Sequence, residues 1–297
     1  MDQFSMVTEF ILMGLSNIPV VRFSLFTTFL IIYLITLVGN GTILLAIGAD
    51  SHLHNPMCFF LTNLSLLDIF CPTATVPKML ENLLSESNTI SFTGCALQMF
   101  FLVALAGTEV FLLAVMAYDR YVLCLQMVAG TWITGFLNSL LHTVMTFTLP
   151  YCRSNRVNQY YCDIPPVMSL SCASTYIAEM VVLIVGGIFG IGAFSVTLVS
   201  YIHIISTILK IRSTEGKHKA FSTCASHLMV VFLFYGTTIF TYIRPSSSHH
   251  PDQDRLVSML YGVITPMLNP LIYSLRNQEV KGALRKLIVH KHLFCKN

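Results

Sequence analysis

Asp68 and Glu109 are carboxylates standing in the middle of long apolar runs. A charged side chain facing lipid costs about 3 kcal/mol or more, so both must face the interior of a helix bundle. Asn40 and Asn269 also lie within apolar runs, and the four side chains define a hydrated polar interior. Two close carboxylates repel, so one carries a proton or a cation sits between them. The chemistry is that of a proton or monovalent-cation site. A polar packing cluster without an ion is the alternative, and spacing alone leaves it open. Asp119-Arg120-Tyr121 puts adjacent opposite charges at the end of an apolar run. Such a pair is an anchor at the membrane face or a latch that opens to a partner.

The nine cysteines fall into two groups. Cys58, Cys71, Cys124 and Cys224 lie in or near apolar runs and Cys295 lies in the tail; thiols of the first kind ordinarily just pack. Cys95, Cys152, Cys162 and Cys172 lie in polar connections or at their edges. On an oxidising side they make two disulfides, with three pairings open. Zinc fits poorly, because no histidine lies between Cys152 and Cys172 and no CxxC is present. His249-His250 with Asp252 and Asp254 reads as a solvated loop. No Gly-x-Ser-x-Gly, His-Glu-x-x-His or paired catalytic aspartate motif is present, so enzyme chemistry is not expected. Internal repeats of the kind transporters carry are not evident either.

The elements that position these residues follow from composition. The chain has 297 residues, 55% hydrophobic and 10% charged, with mean hydropathy +0.71. A soluble domain carries about 25% charged residues. No basic patch with interleaved aromatics suggests nucleic acid. A crossing helix needs about 20 apolar residues. Phe23–Gly48, Met57–Leu80, Phe92–Tyr118, Ile177–Leu209, Ala220–Ile243 and Leu256–Leu275 qualify, and Tyr121–Cys152 is long enough for one crossing and a turn. The expectation is an all-α membrane protein, a seven-transmembrane helix bundle. Residues 1–22 form an outer tail, 23–275 the bundle and 276–297 an inner tail.

No cleavable leader is evident, so the first helix is expected to be its own anchor. With the N-terminus outside, 11 of the 17 Lys and Arg lie on the cytoplasmic side, which favours that direction. Leu275, Val280, Leu284 and Leu287 recur at helical spacing beside Lys281, Arg285 and Lys286. They read as a short amphipathic C-terminal helix on the inner leaflet lipid.

Several strings together carry a resemblance. They are Gly39-Asn40, Pro56-Met57-Cys58-Phe59-Phe60-Leu61, Met116-Ala117-Tyr118-Asp119-Arg120-Tyr121, Ser200-Tyr201, Lys219-Ala220-Phe221-Ser222-Thr223-Cys224-Ala225-Ser226-His227-Leu228, and Pro266-Met267-Leu268-Asn269-Pro270-Leu271-Ile272-Tyr273. From about Thr8 to Leu287 the chain resembles a vertebrate olfactory receptor, a rhodopsin-like G-protein-coupled receptor. The resemblance implies disulfides Cys95–Cys162 and Cys152–Cys172, and an acidic interior site at Asp68 and Glu109 with Asn269 nearby. It implies that Arg120 engages the G protein after the sixth helix swings out, and that Tyr201 and Tyr273 rearrange in that step. The implied partners are a volatile odorant and a stimulatory, olfactory-type G protein that raises cyclic AMP, at the plasma membrane, with no cofactor.

A volatile ligand is small and mostly apolar, so its site should be a dry cavity with one or two polar handles. Helical phase puts Leu102, Val103, Ala106 and Gly107 on the inward face of the third helix, and Tyr235, Thr238, Ile239 and Tyr242 on that of the sixth. Tyr235, Thr238 and Tyr242 are the expected hydrogen-bonding handles; interhelical packing is the alternative for each position. With no Asp or Arg on that face of the third helix, an alcohol, aldehyde, ketone or ester is expected rather than an amine or carboxylate. Gly186, Gly187, Gly190 and Gly192 read as a close-packing face of the fifth helix, and as a ligand wall second.

The match breaks in three places. Only 11 residues separate Arg120 from Trp132, where the family carries a second inner loop with a Cys-x-Pro-Leu-x-Tyr run. About fifteen residues are absent by that comparison, and 123–128 would have to turn without Gly, Pro, Asn or Asp. Weak or absent signalling, or poor folding, is the consequence expected. No glycosylation sequon occurs in residues 1–22, and Cys58 replaces the usual Tyr.

Overall fold

The computed structural model describes residues 7–16, 18–50, 53, 55–85, 87–115, 121–152, 154–210, 213–242, 251–276 and 281–282. The long helices are α1 (Pro19–Ala49), α2 (Pro56–Leu84), α3 (Phe92–Val115), α4 (Tyr121–Phe147), α6 (Tyr176–Leu209) and α7 (Thr214–Tyr242). The seventh span is α8 (Pro251–Met259), a π-helical turn (Leu260–Ile264) and α9 (Thr265–Arg276) in unbroken succession. α5 (Ile164–Met168) is a short helix in the loop between α4 and α6. By length and composition alone α1, α2, α3 and α6 can each cross a membrane. Leu34, Leu45, Ile133, Leu137, Ile188 and Ile202 are exposed, as lipid-facing residues of a bundle must be. Of the expected amphipathic C-terminal helix only Leu275 and Arg276, at the end of α9, and Lys281 and Gly282 are described; the rest lies outside the described residues.

The bundle closes through contacts that its prolines and glycines make necessary. Pro270 has no N–H, so the carbonyl of Pro266 loses its helical partner. Asn40 Nδ2 of α1 donates to that carbonyl at 3.2 Å. Gly39, one residue earlier, lets the Pro270 ring approach: a Cβ there would lie 3.1 Å from the ring. Gly39-Asn40 is therefore the seat on α1 for the proline of α9. At the far end of α2, Arg22 Nε donates to Leu83 O at 3.1 Å, and Nη2 donates to Asn82 O at 3.1 Å and to Ser85 O. A cation here satisfies carbonyls that a helix C-terminus leaves without partners.

A small three-stranded sheet departs from the all-α expectation. β1 (Glu9–Leu12) lies between β2 (Thr89–Ser91), antiparallel, and β3 (Arg156–Val157), parallel. Phe10 and Leu12 alternate inward along β1. Phe10 is fully buried against Phe92, Phe147 and Tyr151, with ring centroids 5.8, 6.5 and 5.5 Å away. The tail before α1 is thus part of the cap at this end of the bundle, and strands of two to four residues are too short a signal to read from sequence.

α3 and α4 run antiparallel in close contact. Ser139 of α4 donates to Phe100 O, and Gly135 lies against Ala104, Gly107 and Thr108. α3 is described to Val115 and α4 from Tyr121. One sequence-based expectation is corrected here: residues 123–128 are helical rather than a turn. A stretch without Gly, Pro, Asn or Asp keeps its helix, and Val128 near its end is buried in the core.

Candidate functional site

A mainly apolar cavity of about 180 Å³ lies between α3, α4, α6 and α7. Leu102, Val103, Ala106 and Gly107 of α3 line it, with Val110 and Phe111 one turn on. Tyr235, Thr238 and Ile239 line it from α7. The side chain of Tyr242 lies outside those described. α6 contributes Gly186, Gly187 and Gly190. A Cβ at any of these three, or at Gly192, would meet nothing within 4 Å. The close-packing expectation for this face is therefore corrected: three of its glycines form a cavity wall, and neither they nor Gly192 is a seam between helices.

The roof is covalently anchored. Cys95 of α3 and Cys162 are joined, with Cα atoms 5.4 Å apart. This fixes Tyr161, Asp163 and Ile164 over the cavity they line. Gln98 locks the same segment, its Oε1 accepting from Cys162 N and its Nε2 donating to Ala74 O, both at 2.9 Å. Gln159 Nε2 donates to Ser258 Oγ of α8 at 3.1 Å. A second link, Cys152–Cys172, closes the same loop, with Cα atoms 5.7 Å apart. Burial pushes the Tyr160 phenol well above its usual range, and the nearby Asp163 charge adds to this. Tyr160 stays protonated in the wall of the cap.

Two of the three expected polar handles line the cavity, and both already hold hydrogen bonds within the protein. Tyr235 OH donates to Val110 O at 3.2 Å and Thr238 Oγ1 to Phe234 O at 2.8 Å. Thr237 and Thr241 likewise donate to carbonyls of their own helix. These hydroxyls have committed their protons and present acceptor lone pairs. Asn138 and His142 of α4 also line the cavity. Helical phase on α3 and α7 gave no hint of them; their signal was two polar residues four apart in a span without charge. Asp163 lines the cavity too, from the loop above α3 rather than from the inward face of α3 itself. Its Oδ1 accepts from Ile164 N at 2.8 Å and its Oδ2 from Tyr161 OH at 3.2 Å. It caps α5 and holds the roof.

Below the cavity the polar interior takes shape. Asn269 Nδ2 donates to both Asp68 carboxylate oxygens, at 2.8 and 3.0 Å. Glu109 is buried in α3, close enough for its charge to interact with that of Asp68. Asn40 points to Pro266 O and Thr36 O instead. Tyr261, on the π-helical turn, links the two levels: it lines the cavity, packs on Phe234 at 5.5 Å, and its hydroxyl lies 3.9 Å from Cys71 Sγ. One-turn π segments recur at functional sites. Tyr201 is buried with Leu113, Ala114 and Val231 where α3, α6 and α7 meet. Asp119 and Arg120 lie outside the described residues, as do the side chains of Tyr121 and Tyr273.

A family profile described as "Olfactory receptor" matches residues 29–291. The chain belongs to the olfactory receptor family. It is 48% identical to Olfactory receptor 5AP2 of Mus musculus over 95% of this chain and 94% of that one. It is 48% identical to Olfactory receptor 5B12 of Homo sapiens over 97% and 96%. The receptor shares its fold with squid rhodopsin, at TM-score 0.63 and 14% identity over 91% of this chain and 86% of that one. It is a multi-pass membrane receptor of the G-protein-coupled class and not an enzyme. Membership implies an odorant ligand and a G-protein partner, and requires no cofactor. The match with the human relative spans 303 positions while using 97% of this chain, so about fifteen positions of that receptor face no residue here.

Proposed function

We propose that the receptor sits in the plasma membrane with its N-terminus outside and its C-terminus in the cytosol. It binds a small, mostly apolar volatile compound in the cavity between α3, α4, α6 and α7. Binding moves α7 through Tyr235, Phe234 and Tyr261, and a stimulatory, olfactory-type G protein answers at Arg120 by raising cyclic AMP. The observation that carries this reading is the apolar cavity under a disulfide-anchored roof, of a size for one small ligand. A monovalent cation between Asp68 and Glu109 fits the oxygen donors there. Asn269 Oδ1 is buried without a protein partner and adds an amide oxygen to the two carboxylates. A cyclic AMP assay across an odorant panel, with surface staining, tests the reading. A volatile that raises cyclic AMP from surface-exposed receptor is the expected result, and silence to every volatile at normal surface expression refutes it.

A second reading is favoured by the short α3–α4 connection. α3 is described to Val115 and α4 from Tyr121, and the sequence leaves too few residues between them for an inner loop of the family's usual length. Under this reading the receptor binds odorants without coupling. Thermal stabilisation by an odorant without a cyclic AMP response, restored by inserting a family-length loop after Val122, distinguishes it.

A further inference from the structure

We propose that Asn138 and His142 hold the hydroxyl group of the ligand, so that the receptor selects alcohols over the matching aldehydes and ketones. This rests on reading the cavity as the odorant site. The two residues are four apart on α4 and share one face of the helix. Both line the cavity. Asn138 Oδ1 and His142 Nδ1 are each buried with no hydrogen-bond partner, and the His142 side chain is 3% exposed. Buried polar atoms of this kind ordinarily find partners. Two on one face of one helix, at a cavity whose other polar side chains already hold hydrogen bonds within the protein, mark where a ligand's polar end belongs.

The chemistry narrows the ligand. A hydroxyl group donates one proton and accepts others. It can donate to Asn138 Oδ1 while accepting from His142 Nδ1–H. Asn138 Oδ1 is the amide atom left without a partner, so Asn138 is the acceptor there and a hydroxyl group satisfies both residues at once. A carbonyl oxygen only accepts: it can take the His142 proton but leaves Asn138 Oδ1 unpaired. The opposite wall reinforces the preference, because Thr237, Thr238 and Tyr235 have already given their protons to backbone carbonyls. The cavity is rich in acceptors and short of protons, and an alcohol brings one. The glycine wall of α6 leaves room for the alkyl chain.

The full-length receptor in detergent, titrated with 1-octanol, octanal and octane while thermal unfolding is followed, tests the proposal. 1-Octanol is expected to bind about tenfold more tightly than octanal, the worth of one hydrogen bond to a buried partner, and octane more weakly still. Asn138→Leu and His142→Leu are expected to erase the difference between alcohol and aldehyde while keeping binding of both. Equal affinity of the wild-type receptor for 1-octanol and octanal overturns the proposal without any variant and leaves the odorant cavity standing. Discrimination that survives both substitutions also overturns it. If none of the three shifts unfolding, the reading of the cavity as an odorant site falls, and the proposal with it.

Discussion

Gly135 sits where α4 presses on α3, and adding one methyl group there probes the tightest contact in the bundle. A Cβ at position 135 would lie 2.8 Å from Ala104 O and 2.9 Å from Thr108 N, against an ordinary contact of 3.4–4 Å. Both atoms are backbone, and neither can rotate away. The Thr108 hydroxyl is itself tied to Ala104 O at 2.8 Å. α4 must therefore retreat by about 0.6 Å or more at this level, which also loosens the Ser139–Phe100 hydrogen bond one turn on. Overpacking costs about 1–3 kcal/mol, and backbone contacts put this case near the top of that range. The better helix propensity of alanine returns about 1 kcal/mol. A net loss of about 2 kcal/mol corresponds to a fall of about 4–6 °C in the unfolding temperature. Gly190→Ala is the matched control: the same propensity gain applies, and its Cβ meets nothing within 4 Å. Thermal unfolding of the two purified variants should move in opposite directions. Gly135→Ala melting with or above the wild type would show that the α3–α4 contact is not as close as described.

Arg22→Met removes three hydrogen bonds to the end of α2, and a loss of about 1.5–3 kcal/mol is expected by equilibrium unfolding. Asn40→Leu leaves Pro266 O buried without its partner, and a loss of about 1–3 kcal/mol is expected; Pro270→Ala, which restores the helical N–H, should relieve part of it in the double variant. Cys95→Ser opens a loop of 67 residues and Cys152→Ser one of 20. By loop entropy they cost about 4 and about 3 kcal/mol, so surface staining should fall further for the first. Gly190→Leu fills the cavity wall, and should shift the preferred straight-chain ligand to a shorter one in a binding series without lowering the unfolding temperature.

The sequence by itself determined the number of crossings, because charge is nearly absent over seven stretches and lipid leaves the backbone no alternative to a helix there. It also determined the family, through strings that stand at fixed places on those helices, and the inward faces of α3 and α7, where 3.6-residue periodicity is the whole signal. Leu102, Val103, Ala106 and Gly107 could be placed on the cavity from that phase alone. Tertiary structure decided what periodicity does not encode. Whether Gly186, Gly187 and Gly190 seal against a neighbour or face a void depends on where α4 and α7 stand. Whether Thr238 offers a proton or only a lone pair depends on a carbonyl four residues back. Asp163 reached the cavity because a disulfide folds its loop inward, and Asn138 and His142 became cavity residues because α4 packs so closely on α3 through Gly135. A site built between helices belongs to their arrangement, and each helix read singly carries only its own face of it.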